Sequence, residues 1–117
     1  MEALNKPLIS YEEFTKVDIR CGIILEAKPF EGAHKPAYQL RIDFGGTIGI
    51  KKSSAQITVR YNCEELIGLQ VIAVVNFKPR QIGKFMSEVL VLGLPDEHHN
   101  VVLLSPTLPV PIGGAMY

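Results

Sequence analysis

The residues best suited to chemistry lie in one stretch, residues 76–88, where cations alternate with aromatic and thioether side chains. Lysine and arginine can neutralise phosphate, while flat or polarizable groups can stack on unpaired bases. The cations are Lys78, Arg80 and Lys84, and the interleaved groups are Phe77, Phe85 and Met86. This mixture favours binding of single-stranded or looped nucleic acid. In the alternative interpretation, the phenylalanines are core residues and the cations are ordinary loop residues.

Charge is segregated along the chain, although its total is zero. Twelve Lys and Arg balance twelve Asp and Glu, yet residues 51–84 carry six cations against Glu64 and Glu65, and residues 85–117 carry none. A basic middle segment predicts an anion-binding face, to which Lys51 and Lys52 would contribute. A lysine-rich solvated face is the alternative, because no block of like charges exceeds two residues.

Catalysis and metal binding find little support in the remaining reactive residues. His98 and His99 adjoin in a predicted turn without a third ligand at recognisable spacing. Cys21 falls on the core side of a strand pattern, and Cys63 has no companion histidine. We therefore predict a protein that is not an enzyme and that uses no metal and no cofactor.

The same sequence features bear on the cellular compartment. Two cysteines cannot build a disulfide framework, so reduced thiols in a reducing compartment are expected. Residues 1–7 lack the basic-then-apolar layout of a signal peptide. No apolar run approaches the ~18 residues of a membrane span. The prediction is a cytoplasmic protein without membrane insertion.

The elements that must position the basic stretch are mostly strands. The 117 residues, 47% of them apolar, suit one domain over residues 1–117 with a workable core. Alternating apolar residues predict strands at 17–27 and 38–44, and the glycine pair at 45–46 predicts a hairpin into a third strand at about 47–53. Further strands are predicted at 70–77 and 88–94, with a short element at 101–104. Gly22 suggests a bend or bulge in the first strand.

Two short helices and an extended end complete the prediction. Ser10 and Glu13 form a capping box before a helical turn, and Asn62 caps a second helix that ends at Gly68. A helix between strands three and four is the layout of an all-β, five-stranded OB-fold barrel, with a short N-terminal helical turn and an extended tail over residues 105–117. In that fold, residues 76–88 join the last two barrel strands on the ligand face.

Three runs in the sequence resemble the tRNA-binding-domain family, which includes structure-specific tRNA-binding proteins and C-terminal domains of methionyl-tRNA synthetases. They are VDIRCGII (17–24), NFKPR (76–80) and SEVLVL (87–92). Over its whole length the chain also resembles the CsaA-type secretion chaperones of that family, in KKSSAQI (51–57), FKPRQIG (77–83) and PVPIG (109–113).

The resemblance implies a homodimer of OB-fold domains that binds tRNA without sequence specificity. An export-related chaperone that holds unfolded polypeptides or preproteins in apolar pockets is the alternative. Asn76 and Ser87 join the RNA-binding set with Lys51, Lys52, Lys78, Arg80 and Lys84. A hydroxyl that merely bonds the local backbone is the other interpretation of Ser87.

The apolar ends of the chain are the predicted subunit contacts, because a small barrel has little remaining core to bury them. These residues are Leu4, Leu8 and Ile9 at one end, and Leu108, Val110, Ile112, Met116 and Tyr117 at the other. The alternative is a monomer in which both ends wrap their own barrel.

Overall fold

An antiparallel sheet that curls into a nearly closed barrel forms the centre of the computed structural model, which describes residues 5–117. In chain order the elements are α1 (Tyr11–Thr15), β1 (Ile19–Pro29), β2 (Tyr38–Asp43), β3 (Ile50–Ala55), α2 (Cys63–Leu66), β4 (Gln70–Val74), β5 (Arg80–Ile82), β6 (Phe85–Ser87), β7 (Leu90–Val91), β8 (Gly93–Pro95) and β9 (Val101–Leu103). The five barrel strands lie in the order β3-β2-β1-β4-β7. The predicted all-β, OB-like fold is confirmed.

The barrel closes between β3 and the segment that leads into β7. The Ser53 hydroxyl donates to the carbonyl of Val89 at 2.9 Å, and the amide of Glu88 donates to the carbonyl of Lys52 at 2.8 Å. Inward-facing side chains from all sides, including fully buried Phe44, fill the interior. These bonds hold residues 87–89 against β3 and so fix the start of the surface described below.

Gly22 lies at a closely packed position of β1 and not at a bulge. It pairs regularly with Val71 in β4, while the irregularity in β1 falls between Ile24 and Glu26. A Cβ at Gly22 would lie 2.7 Å from side-chain atoms of both Ile42 and Phe44. The irregularity in β1 therefore lies a few residues beyond the predicted site. Glycine is required at position 22 because neighbouring side chains approach the backbone closely there.

Three predicted strand boundaries also need correction. The third strand starts at Ile50, because residues 45–49 form a tight turn in which the Gly49 amide donates to the Gly45 carbonyl at 3.0 Å. The fourth strand ends at Val74 and does not reach Phe77. The predicted fifth strand at 88–94 is two strands, because the pairing partner changes at Leu92. Before it, β7 pairs with β4, and the Leu92 amide still donates to the Ile72 carbonyl; after it, β8 pairs with β9.

Both predicted helix caps are confirmed. The Ser10 hydroxyl accepts from the Glu13 amide at 3.1 Å, and Asn62 accepts from the Glu65 amide at 2.8 Å. In each case the glutamate carboxylate accepts a hydrogen bond from the amide of the cap residue, which completes a capping box. No helix within residues 5–117 is both long enough and apolar enough to cross a bilayer.

The C-terminal tail runs along the first half of β1. The Gly113 amide donates to the Cys21 carbonyl at 2.7 Å, the Cys21 amide donates to the Gly114 carbonyl at 3.1 Å, and Arg20 bridges Ala115 in antiparallel fashion. The backbone of this segment therefore wraps its own barrel, in line with the alternative interpretation of the tail.

Apolar side chains at both ends nevertheless remain exposed. They are Leu8, Ile9, Leu108, Val110, Met116 and Tyr117, while Ile112 is half-buried. Leu4 lies outside the described residues. Subunit contact through these ends stays a prediction.

Candidate nucleic-acid interface

The predicted basic loop contains a small hairpin formed by β5 and β6. Its register pairs Arg80 with Ser87 and Ile82 with Phe85, and the two-residue turn begins at Gly83 with φ of 62°. Glycine at that position is typical of a turn whose twist suits the flanking strands. Because paired residues share a face, these four side chains project from the same side of the hairpin. Met86, on the other side, is 37% exposed.

Three residues of that shared face, Arg80, Ile82 and Ser87, line a groove of about 390 Å³, which we term the hairpin groove; Phe85 does not line it. Four predicted site residues meet in it: Phe77, Lys78, Arg80 and Ser87. The remaining lining residues are Ser54, Ile82, Glu88, Val89 and Leu90. Phe77 is 54% exposed, so its ring is available to a ligand and is not a core residue.

One carboxylate lines the hairpin groove, and its bonding is internal. The Glu88 Oε1 atom accepts a hydrogen bond from the Lys52 amide at 2.9 Å. The Ser87 hydroxyl likewise accepts from the Ser54 amide at 3.0 Å. Both bonds attach the base of the hairpin to β3. The Ser87 hydroxyl therefore bonds the backbone of a distant strand and not the local backbone of its alternative interpretation.

Lys52 and Phe85 come together on the outer face of the barrel. The Lys52 ammonium lies 5.4 Å from the centroid of the Phe85 ring, within range of a cation–π interaction. The Phe85 ring also packs against Phe30 at a centroid distance of 5.2 Å. Lys84, at the hairpin tip, lines a neighbouring cleft with these two rings. The outer face thus carries cations beside aromatic surface, as the hairpin groove does.

Sequence reasoning missed further polar members of this outer face. Lys28 and Arg41 line a cleft with Lys52 and Phe85, and the Arg41 guanidinium donates to Glu26 at 2.9 Å. The register gives the reason, since Arg41 pairs with Lys52 on one side and with Glu26 on the other. The period of two in the predicted strands could have revealed these residues, had the strands been aligned in register.

Besides Met86, two predicted residues line neither the hairpin groove nor the clefts beside it. Lys51 pairs with the fully buried Ile42, so it belongs to the opposite face of β3 from Lys52. Asn76 uses its side-chain amide to join two backbone segments: it donates to the Lys16 carbonyl at 2.8 Å and accepts from the Asp18 amide at 2.9 Å. Asn76 thereby fixes the point at which Phe77 and Lys78 leave β4.

Two side chains with shifted pKa values, Cys21 and Asp96, do not line the hairpin groove. Burial raises the pKa of the Cys21 thiol, which is 4% exposed. The pKa of Asp96 is lowered, first by the hydrogen bond from the Asn100 amide and then by Arg60, against an opposing effect of desolvation. Within the described residues, no three His, Cys, Asp or Glu side chains gather as metal ligands.

Comparison with known proteins places this geometry in context. The family model described as "Putative tRNA binding domain" matches residues 19–115. The structure of a CsaA chaperone protein from Picrophilus torridus superposes with a TM-score of 0.87 at 52% identity, covering 94% of this chain and 100% of that one. The chaperone CsaA from Bacillus anthracis superposes with the same TM-score at 47% identity, covering 95% and 100%.

A relative found by sequence is much longer than this chain. The methionine–tRNA ligase of Leptospira biflexa is 43% identical over 84 residues, which make up 72% of this chain and 12% of the ligase. The chain therefore spans only 12% of that relative's length.

Proposed function

Because this chain belongs to the tRNA-binding-domain family as a CsaA-type member, we propose that it binds tRNA without sequence specificity and acts by binding and not by catalysis. The cytoplasm, where tRNA is used, is the proposed location. The observation that carries the proposal is the half-exposed ring of Phe77, held in one groove with Lys78 and Arg80.

The groove supplies two kinds of contact that suit RNA. Lys78 and Arg80 neutralise phosphates, and Arg80 can also donate two parallel hydrogen bonds to one phosphate. Phe77 offers a face on which any unpaired base can stack. Lys52 and Lys84 add positive charge beside the Phe85 ring. None of these contacts reads a base edge, so they favour RNA of many sequences.

The other members of the predicted set take indirect places in this proposal. Asn76 and Ser87 are positioning residues, because their polar atoms bond to the backbone. Lys51 adds charge from the opposite face of β3. Phe85 supports Lys52, and Met86 offers exposed surface on the side of the hairpin opposite to Phe85.

A charge-reversal experiment tests the proposal. Unfractionated tRNA is titrated against the parent and against a Lys78→Glu, Arg80→Glu variant, at about 50 and about 200 mM salt. We expect the variant to bind at least about tenfold more weakly, with a salt slope smaller by about two units. A Lys6→Glu, Lys16→Glu variant carries the same charge change at two side chains that line none of the grooves, and it serves as the control. Equal binding by the parent and the groove variant would contradict the proposal.

Polypeptide binding is a second candidate function, supported by apolar surface in the same groove. Leu90 is 48% exposed beside Phe77, and Ile82 and Val89 also line the groove. A chaperone that holds unfolded polypeptides or preproteins would use such surface. Capture of apolar segments keeps or gains strength as salt rises, whereas RNA binding weakens. Titration with an unfolded polypeptide of low net charge at both salt concentrations therefore separates the two candidates.

A homodimer is part of the proposed function, with the exposed apolar ends as its contacts. Leu8 is fully exposed and Tyr117 equally so, and such side chains gain most from a partner subunit. Two copies would present two grooves to one large tRNA. Light scattering tests this: a 12.9 kDa species at micromolar concentration would contradict it.

A further inference from the structure

Two more grooves continue from the hairpin groove around the end of β3. The middle groove, about 300 Å³, shares Ser54, Arg80 and Ile82 with the hairpin groove. The far groove, about 310 Å³, shares Lys35 and Gln56 with the middle groove. Because each groove shares walls with the next, the three form one path across the surface.

The middle and far grooves are lined by positive and neutral groups only. His34, Lys35 and Arg80 line the middle groove, and Lys35, Arg60 and His99 line the far groove. No Asp or Glu among the described residues lines either of them. In a chain with equal numbers of acids and bases, such a path attracts anions.

Arg60 is held in place at the end of this path. Its Nε atom donates to Asp96 at 2.7 Å, and Asp96 in turn accepts from the amides of His98 and Asn100. The Asp96 side chain is 8% exposed, whereas Arg60 is 47% exposed. The more buried carboxylate therefore orients the guanidinium through Nε and one terminal nitrogen, and the Arg60 side chain stays about half exposed. A guanidinium fixed in this way is suited to phosphate.

Aromatic side chains distinguish the hairpin groove from the other two. Phe77 lines the hairpin groove, but no Phe or Tyr of the described residues lines the middle or far groove. Without a phenyl or phenol ring, these grooves offer only the imidazoles of His34 and His99 for stacking, so charge and hydrogen bonding dominate their ligand contacts.

We propose that the middle and far grooves bind the sugar-phosphate backbone of the RNA strand whose base stacks on Phe77, with Lys35 and Arg60 as the phosphate contacts; this rests on the proposed tRNA binding. The interface then has two parts, a stacking part at the hairpin and a backbone part beyond it. An acidic polypeptide is the other ligand that such a path could hold. Both ligands suit the middle and far grooves, which no carboxylate of the described residues lines, but the continuity of these grooves with the stacking groove favours RNA.

The test compares short and long single strands on two matched variants. Oligouridylates of about four and about twelve nucleotides, within the usual range for one OB-fold, are titrated against the parent protein, a Lys35→Ala, Arg60→Ala variant and a Lys6→Ala, Lys16→Ala control. The shorter strand can occupy the hairpin groove alone, whereas the longer strand also reaches the backbone grooves. We expect the groove variant to bind the short strand as the parent does. For the long strand, its salt slope should be smaller by about 1.4 units, which is two single-strand phosphate contacts.

The outcomes separate this proposal from the proposed function. If the parent binds neither strand nor unfractionated tRNA, both are wrong. If the parent binds but the groove variant and the control have the same salt slope for the long strand, only the proposed role of the middle and far grooves is wrong. Binding of polyglutamate that depends on Lys35 and Arg60, with the RNA slope unchanged, would also overturn the proposal. Because Arg60→Ala could loosen the turn at Asp96, a Lys35→Glu variant alone repeats the test with Arg60 intact, and it should reduce long-strand affinity several-fold.

Discussion

The ammonium group of Lys52 lies over the ring of Phe85, 5.4 Å from its centroid. This contact joins β3 to β6, and Phe30 packs against the same ring at a centroid distance of 5.2 Å. A lysine held against an aromatic face loses less freedom when it meets a phosphate than a lysine on an open surface does. The hairpin and the barrel therefore cooperate in presenting this cation.

Neighbouring lysines give a direct test of that arrangement. Lys52→Met keeps the side-chain length and removes the charge, so the salt slope of tRNA binding should fall by about one unit. Lys51→Met makes the same change on the other face of β3 and should have a smaller effect on the slope. The measurement is affinity against salt for both variants. Equal slopes would mean that the face of the strand does not matter.

Phe77 is expected to contribute binding energy without contributing to the fold. Its ring is 54% exposed, so Phe77→Ala should leave the unfolding temperature nearly unchanged. Loss of one stacked base should cost about 1–3 kcal/mol of binding free energy. Fluorescence titration with oligouridylate measures the loss. Tyr11→Ala, which removes an exposed aromatic ring from α1, should leave RNA affinity unaltered.

Gly113 should be essential for docking of the tail. Its φ is +87°, and a Cβ there would lie 2.5 Å from the carbonyl oxygen of Phe44. Gly113→Ala should therefore release the segment and destabilise the protein by at least about 1–2 kcal/mol, the cost of the left-handed backbone alone. Hydrogen exchange should show lost protection of the Cys21 and Met116 amides, which bond across this junction.

The adjacent glycine provides the control for that variant. A Cβ at Gly114 would approach only the Pro111 carbonyl oxygen, at 3.5 Å, and Gly114 does not need a positive φ. Gly114→Ala should keep the amides protected and the stability close to that of the parent. If both variants exchange at the same rate, the close approach to Phe44 is not what specifies glycine at position 113.

Because of Asp96, the stability of the protein should fall as the pH becomes acidic. Its pKa is lowered in the folded protein, so the stabilisation is present above the ordinary carboxyl pKa of about 3.9 and is lost as pH falls through the folded value. Asp96→Asn should lower the unfolding temperature at neutral pH, and this deficit should shrink on acidification. Thermal unfolding across that range measures the effect. Glu97→Gln, a change at the exposed next residue, should show no such convergence.

The fold was largely predictable because its signals are local. Alternation over β1 and β2, the two capping boxes and the glycine turn each depend on residues close in sequence. The split of residues 88–94 into two strands depends on distant partners. Leu92 changes strand partners between Ile72 and Leu104, and no pattern in 88–94 reveals that exchange.

The candidate site was only partly predictable for the same reason. Residue types indicated the basic hairpin segment, and the structure gathers Phe77, Lys78 and Arg80 into one groove. Asn76 and Ser87 have their bonding partners at Lys16, Asp18 and Ser54, far away in sequence, so their structural bonds could not be foreseen. Lys35 and Arg60 are isolated cations in the sequence and become neighbours of the groove only through folding.

The bridge between Arg20 and Ala115 has a consequence for how this domain can be used in larger proteins. The two residues lie almost at the limits of the family match, residues 19 and 115, so the matched segment begins and ends at one point on its surface. A segment with adjoining ends can be fused to another polypeptide, or inserted into one of its loops, without separating its own strands. A segment of this kind can occur within a longer protein, and the segment of the methionine–tRNA ligase that matches this chain makes up 12% of that ligase.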